Sequence, residues 1–194
     1  MSNRIITISR EFGSGGRTIG KMAAEKLGIP CYDRELIEKI AQESGLSEEY
    51  IKEQSEYTAS SSWLTEALLS YHSNGPSIQD QIWAIQQQTI IELAQKEPCV
   101  IVGRCADYIL QGQHDILSVY IHAPLEVRAK RIVDVYGETT ESPEKRIKEK
   151  DKRRRAYYKI YTDMEWGKPE NYDVCINSAS FGLEKCADMI AGLY

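Results

Sequence analysis

The chain has 194 residues, 42% of them hydrophobic, with a formal net charge of −5. This suits one globular domain, with or without a substrate-binding insert, and excludes a general polyanion binder while allowing a local basic patch. Five cysteines, odd in number and without C-x-x-C pairing, together with the lack of any signal-like or membrane-length apolar run, argue against a disulfide scaffold, a zinc site or a membrane span; a soluble cytoplasmic protein is expected.

Residues 4–9 read as a buried strand that runs into the glycine-rich turn Arg10-Glu11-Phe12-Gly13-Ser14-Gly15-Gly16-Arg17 and then into an amphipathic helix over 18–27. Strand, glycine turn and helix in this order make a cradle for phosphate, because the N–H groups of the turn and of the helix start point inward and the helix dipole favours an anion there. The standard loop reads G-x-x-x-x-G-K-[ST], its lysine on the β- and γ-phosphates and its hydroxyl on magnesium. Here Arg10 stands in place of the first glycine and Gly16 in place of the lysine; Thr18 supplies the hydroxyl one position late, as in loops that end Gly-Lys-Gly-Thr. Arg17 or Arg10 must then provide the missing cation. Two other readings stand beside this one: a glycine turn without a ligand, and a dinucleotide fingerprint, whose third glycine position is occupied by Thr18.

Further apolar runs at 30–32, 99–102, 117–123 and 172–176 alternate with helical patterns, which predicts a parallel sheet covered on both faces. Gly28 ends the first helix. Asp33 is placed to cap the next, which carries Leu36, Ile37, Ile40 and Ala41 on one face, and Ser47 can cap another. Residues 54–76 turn polar and serine-rich around Trp63, Leu64, Leu68 and Leu69, the pattern of an insert with a mobile lip, and a long helix follows over 78–95. Ser142-Pro143 opens a helix crowded with Lys148, Lys150, Lys152, Arg153, Arg154 and Arg155 but poor in apolar residues, so deep burial is not expected. It reads as a lid that folds arginines over phosphates, or as a solvated or nucleic-acid-binding face. His72, His114 and His122 carry no catalytic pattern, and the tryptophans read as packing residues, Trp63 alone being placed to border a base.

These motifs resemble the cytidylate kinase-like family of P-loop nucleoside monophosphate kinases from end to end. The resemblance rests on the loop at 9–17, on Tyr32-Asp33-Arg34-Glu35-Leu36, on Val102-Gly103-Arg104-Cys105-Ala106-Asp107, on residues 121–131, on Lys150-Asp151-Lys152-Arg153 and on residues 172–177. It implies an α/β P-loop NTPase fold: a five-stranded parallel sheet of order 2-3-1-4-5 flanked by helices, one domain over 1–194, an acceptor-binding helical insert at about 44–96 and a basic lid at about 138–159. It further implies ATP as donor, Mg²⁺ on the Thr18 hydroxyl, and transfer to a nucleotide. Arg17, Arg104, Arg131 and Arg153 are then the expected catalytic clamps. Arg10, Gly13, Ser14, Gly15, Gly16, Arg17, Thr18, Arg128, Arg154 and Arg155 would bind phosphate or nucleotide, and Asp33, Arg104 and Asp107 the acceptor; neither nucleic acid nor a membrane is an expected partner. A nucleotide sensor without catalysis, and a kinase of a non-nucleotide small molecule, remain as alternatives, since fold does not fix substrate.

Overall fold

The computed structural model describes residues 4–49, 77–113, 115–137, 139 and 141–194. Ile5, Ile6 and Ile8 of β1 (Arg4–Arg10) are fully buried, and because alternate residues face opposite sides the strand needs apolar cover on both. The turn after it enters α1 (Gly16–Leu27) two residues earlier than expected, since Gly15 takes the left-handed conformation (φ 84°) that starts the helix. At the other end Gly28 closes α1 in the same conformation, its N–H donating to the carbonyls of Ala24 and Glu25.

The chain continues through β2 (Cys31–Tyr32), α2 (Arg34–Ser44), α3 (Ile78–Lys96), β3 (Cys99–Val102), α4 (Ala106–Ile109), β4 (Asp115–His122), α5 (Leu125–Tyr136), α6 (Pro143–Thr162), a short 3₁₀ turn (Pro169–Asn171), β5 (Val174–Asn177), α7 (Ser178–Phe181) and α8 (Leu183–Leu193). All strand pairs are parallel and the sheet order is β2-β3-β1-β4-β5, as the resemblance implies. β5 begins two residues later than expected because Asp173 extends the ladder with its side chain: Ser118 N–H donates to Asp173 Oδ2 at 2.8 Å in place of a backbone carbonyl. One sheet face packs Ile5 and Ile101 against Leu36, Ile40, Ile90, Leu93, Tyr157 and Tyr158; the other packs Ile6, Ile8, Val119 and Ile121 against Ile19, Ala23 and Ile190. Residues 50–76, which hold most of the expected insert with Trp63 and His72, lie outside the described residues, as do His114, Glu138 and Thr140. Among the described residues no helix is long and apolar enough to cross a membrane.

The basic helix corrects the expectation of shallow burial. α6 starts as predicted, Ser142 accepting from Lys145 N–H at 3.3 Å with Pro143 in the first turn, but it extends to Thr162 and buries Ile147, Asp151, Tyr157 and Tyr158. Its C-terminal half joins the core, where Trp83 of α3 stacks on Tyr161 with ring centroids 4.3 Å apart. Its middle is held by a carboxylate. Asp151, 2% exposed, accepts from Phe12 N–H at 2.8 Å and from Arg128 Nη1 at 2.6 Å, and so ties α6 to the glycine loop and to α5.

Removing one member of a buried ion pair costs about 3–5 kcal/mol, and the lower end applies here because Arg128 keeps Glu11 Oε2 at 3.4 Å. Asp151→Ala is therefore expected to lower Tm by roughly 10 °C at this chain length, while Arg128→Met/Asp151→Leu recovers most of the loss. Thermal melts of the three proteins check this; a single variant as stable as the parent removes the pair from its structural role.

Candidate phosphate-transfer site

The turn between β1 and α1 is pinned from several sides. Glu11 N–H donates to Ile121 O at 3.0 Å, Glu11 Oε2 accepts from Ala123 N–H at 3.1 Å, and the Ser178 hydroxyl donates to Ser14 O at 2.6 Å. Gly13 and Gly15 have φ of 82° and 84°, a left-handed backbone that favours glycine at both, and a Cβ at Gly13 would also stand 3.0 Å from the Arg128 backbone oxygen. α1 therefore starts with no capping side chain and no acidic residue in its first turn. Its first N–H groups have no intrahelical acceptor, which leaves partial positive charge directed into the space above the loop.

That space is a cavity of about 320 Å³ shared by the loop, α1, α5 and α6, and six basic side chains line it: Arg10, Arg17, Arg131, Arg146, Lys150 and Arg154. Among the described residues Glu11 is the one carboxylate in its wall, and it already bonds Ala123 N–H. Phe12 and Tyr136 stack at its edge with centroids 6.0 Å apart, and Arg154 lies 5.7 Å from the Phe12 ring. In a chain of net charge −5, this is a local concentration of positive charge suited to an anion.

The expected site residues divide clearly. Arg10, Gly13, Gly15, Gly16, Arg17, Thr18, Arg131 and Arg154 all border the cavity, and Arg131 Nη2 donates to Thr18 Oγ1 at 3.2 Å. Ser14 does not: it is 2% exposed and its hydroxyl donates back to Glu11 O. Arg128 is spent on structure, buried and bonded to Ala123 O, Phe12 O and Asp151, so the phosphate role expected of it is not the one its geometry supports. Arg153 reaches Glu149 at 3.9 Å on the helix surface, and Arg155 lies over the Trp166 ring at 5.9 Å; neither lines the cavity. Composition singles out these arginines, but helical phase decides. Arg146 and Lys150, not among the expected site residues, line the cavity with Arg154: the three recur every fourth residue on one face, a spacing readable in the sequence.

Arg104 borders a second, smaller cavity with Ser9, Arg10, Arg154, Tyr157, Tyr158 and Trp166. It lies in a run of three left-handed residues, Gly103, Arg104 and Cys105, with φ of 78°, 61° and 55°. Such backbone at two non-glycine residues costs on the order of 1–3 kcal/mol each and must be held by its surroundings. Gly103 N–H bonds Ile8 O at 2.9 Å and the buried Gln86 side chain donates to Arg104 O at 3.0 Å. Asp107 lies elsewhere. It is 6% exposed and accepts from the Tyr158 hydroxyl at 2.7 Å; burial pushes its carboxyl above the usual carboxylate range, the hydroxyls of Tyr158 and Ser9 pulling it partly back. It borders neither of these two cavities, and it joins α4 to α6. Asp33 occupies the N-cap position of α2 without making the capping bond; its carboxylate takes the Arg17 guanidinium, Nε to Oδ2 at 2.5 Å and Nη2 to Oδ1 at 3.4 Å. A third space of about 330 Å³, bordered by Val127, Lys130, Asp134, Ser178 and Gly182, meets the loop from the opposite side, with Gly13, Arg131 and Val135 shared between the two.

Comparison with known proteins agrees with this geometry. The model of the cytidylate kinase-like family matches residues 5–180. A cytidylate kinase of Archaeoglobus fulgidus is 32% identical over 191 residues, covering 95% of this chain and 91% of its own. A crystal structure of an uncharacterized protein from Eubacterium ventriosum superposes with a TM-score of 0.74 at 27% identity, covering 98% of each chain. Shikimate kinase from Acinetobacter baumannii, 17% identical, shares the fold alone, with a TM-score of 0.54 over 100% of this chain and 93% of its own.

An anion that fits the loop should stabilise the protein by mass action, about 2.7 kcal/mol at a hundredfold excess over Kd. Pyrophosphate is accordingly expected to raise Tm by roughly 5–10 °C at low ionic strength, with the rise shrinking in high salt. A flat response in melts with and without pyrophosphate would mean that the loop holds no phosphate.

Proposed function

The chain belongs to the cytidylate kinase-like family, and on that premise we propose that it transfers the γ-phosphoryl group of ATP to a nucleoside monophosphate, with cytidylate the first candidate. The observation that carries this reading is the six-cation cavity over an uncapped helix start. Phosphoryl transfer asks little covalent chemistry of a protein; it asks for in-line positioning and for positive charge where negative charge spreads. An oxygen of the acceptor phosphate forms a bond to the γ-phosphorus as the bond to the β–γ bridging oxygen breaks, and ADP leaves with that electron pair.

On this reading the N–H groups of residues 13–18 hold the β-phosphate. Arg131 leaves the Thr18 hydroxyl for the phosphate chain, and Arg154, from α6, closes the side away from the loop. Arg104 takes the acceptor phosphate, aimed by its left-handed backbone. Arg17 and Asp33 form the acceptor-side wall, and the space beside Val127 and Ser178 takes the donor base. The cationic stripe of α6 is turned into the cavity, which supports small phosphates over nucleic acid as its partner. Magnesium, which in such kinases neutralises the β- and γ-oxygens, fits a site that gives it little protein: among the described residues there is no cluster of three metal-binding side chains, and Thr18 Oγ1 is the oxygen that would hold it. An ion carried mainly by phosphates and water suits that donor set.

The test is ADP release from ATP–Mg²⁺ with CMP, dCMP, UMP, AMP, shikimate or no acceptor. CMP-dependent release well above the acceptor-free rate is expected. Release driven by shikimate alone would transfer the fold to a small-molecule kinase, and nucleotide binding without release under any acceptor would leave a sensor.

A further inference from the structure

The place of the missing lysine is filled by another side chain. Gly16 stands where the standard loop has lysine, and it is buried. A Cβ built there would lie 2.5 Å from Arg10 Cβ and 2.9 Å from Arg10 Cγ. The stem of Arg10 therefore runs directly over the Cα of Gly16. Its tip runs on to the end of β3, where a Cβ on Gly103 would overlap Arg10 Nη1 and stand 3.0 Å from Arg10 Cζ. Two glycines on two different elements thus leave room for one arginine. The guanidinium arrives between the C-terminal ends of β1 and β3, and Arg10 borders both the phosphate cavity and the smaller cavity of Arg104.

The competing candidate points another way. Arg17 is half exposed, and its guanidinium is held in a two-point pair by the buried carboxylate of Asp33 at the end of β2. Reaching the donor phosphates would mean breaking that two-point pair and turning away from the end of β2.

We propose that Arg10 replaces the lysine in function as well as in space. Its guanidinium, carried across Gly16, touches the terminal phosphates of the donor and offsets the charge that collects on the β–γ bridging oxygen as that bond breaks. The loop has exchanged its first glycine and its lysine for an arginine and a glycine, so the cation enters from the strand side instead of the helix side. Arg17 then serves acceptor placement through Asp33. The inference rests on the kinase reading for its chemistry, but its steric part stands independently.

Three measurements test it. Arg10→Ala is expected to lower kcat by roughly a hundredfold or more, the size of losing a transition-state donor, and to weaken binding of adenylyl imidodiphosphate at least tenfold, whereas Arg17→Ala chiefly raises the acceptor KM. Gly16→Ala should lower Tm in the parent but not in an Arg10→Gly background, where the obstructing stem is gone. Arg10→Gly/Gly16→Lys, which restores the first glycine and the lysine, should recover at least tenfold in kcat over Arg10→Gly. An Arg10→Ala protein with parental kcat and parental analogue affinity overturns the proposal, as does an equal Gly16→Ala effect in both backgrounds. If the parent itself shows no acceptor-dependent turnover, the kinase reading fails, and analogue affinity with the Tm cycle still decides for or against Arg10 as the phosphate cation.

Discussion

The structure hangs on a buried carboxylate. Asp151 is the point at which the basic helix, the glycine loop and α5 meet, with one oxygen on Phe12 N–H and the other on Arg128. Tyr157 and Tyr158 anchor the C-terminal half of α6 in the core; nearer the loop its other supports are the Arg154 bond to Arg10 O and Ile147 in a small cluster with Ala129 and Ile132, worth about 1.5–3 kcal/mol per fully buried aliphatic side chain. That is thin support for a helix whose neighbouring residues repel the cations opposite. A buried ion pair is seldom a large net source of stability, but it is exacting about geometry. Here it fixes which face of α6 looks down on the loop.

Fixing that face has an electrostatic consequence. Arg10, Arg17 and Arg131 come from the body of the protein, and Arg146, Lys150 and Arg154 from α6. Two unit charges 4 Å apart interact by about 4 kcal/mol at the effective dielectric of a protein surface, so these groups do not gather without compensation. Some is internal: Asp33 takes Arg17, and Arg154 lies 3.8 Å from Asp151 and donates to Arg10 O. An anion bound there would meet cations from the body and from α6 at once, so anion binding and the seating of α6 would reinforce one another.

Much of this is legible in the sequence alone. The five strands follow from apolar runs, and Gly28, Ser142 and Pro143 mark their helix ends because turn and cap chemistry is local. The strand order comes only through the family resemblance, since periodicity does not say which strands are neighbours. The site divides along the same line. The glycine loop is readable as a local pattern. The left-handed run at Gly103, Arg104 and Cys105 is not, because it is imposed by Gln86 and Ile8 from distant parts of the chain. Asp33 reads as a helix cap on local grounds, and the competing partner, Arg17, is close in space more than in sequence. Arg128 reads as a phosphate ligand because its charge is visible in the sequence while its burial is not.

The basic helix shows why counting charges misleads and counting spacings serves better. Ile147, Asp151 and Tyr158 keep the interval that points to the body of the protein, and Arg146, Lys150 and Arg154 keep a parallel interval one step around the helix, facing the cavity. Lys148, Lys152, Arg155 and Lys159 fall on the solvent side. At 3.6 residues per turn a single inserted residue turns everything beyond it by about 100°. An insertion between Ile147 and Lys150 would swing Asp151 away from Phe12 and Arg128, and carry Lys150 and Arg154 off the cavity in the same motion. Anchor and clamp therefore share one phase of one helix, and neither can be displaced without the other.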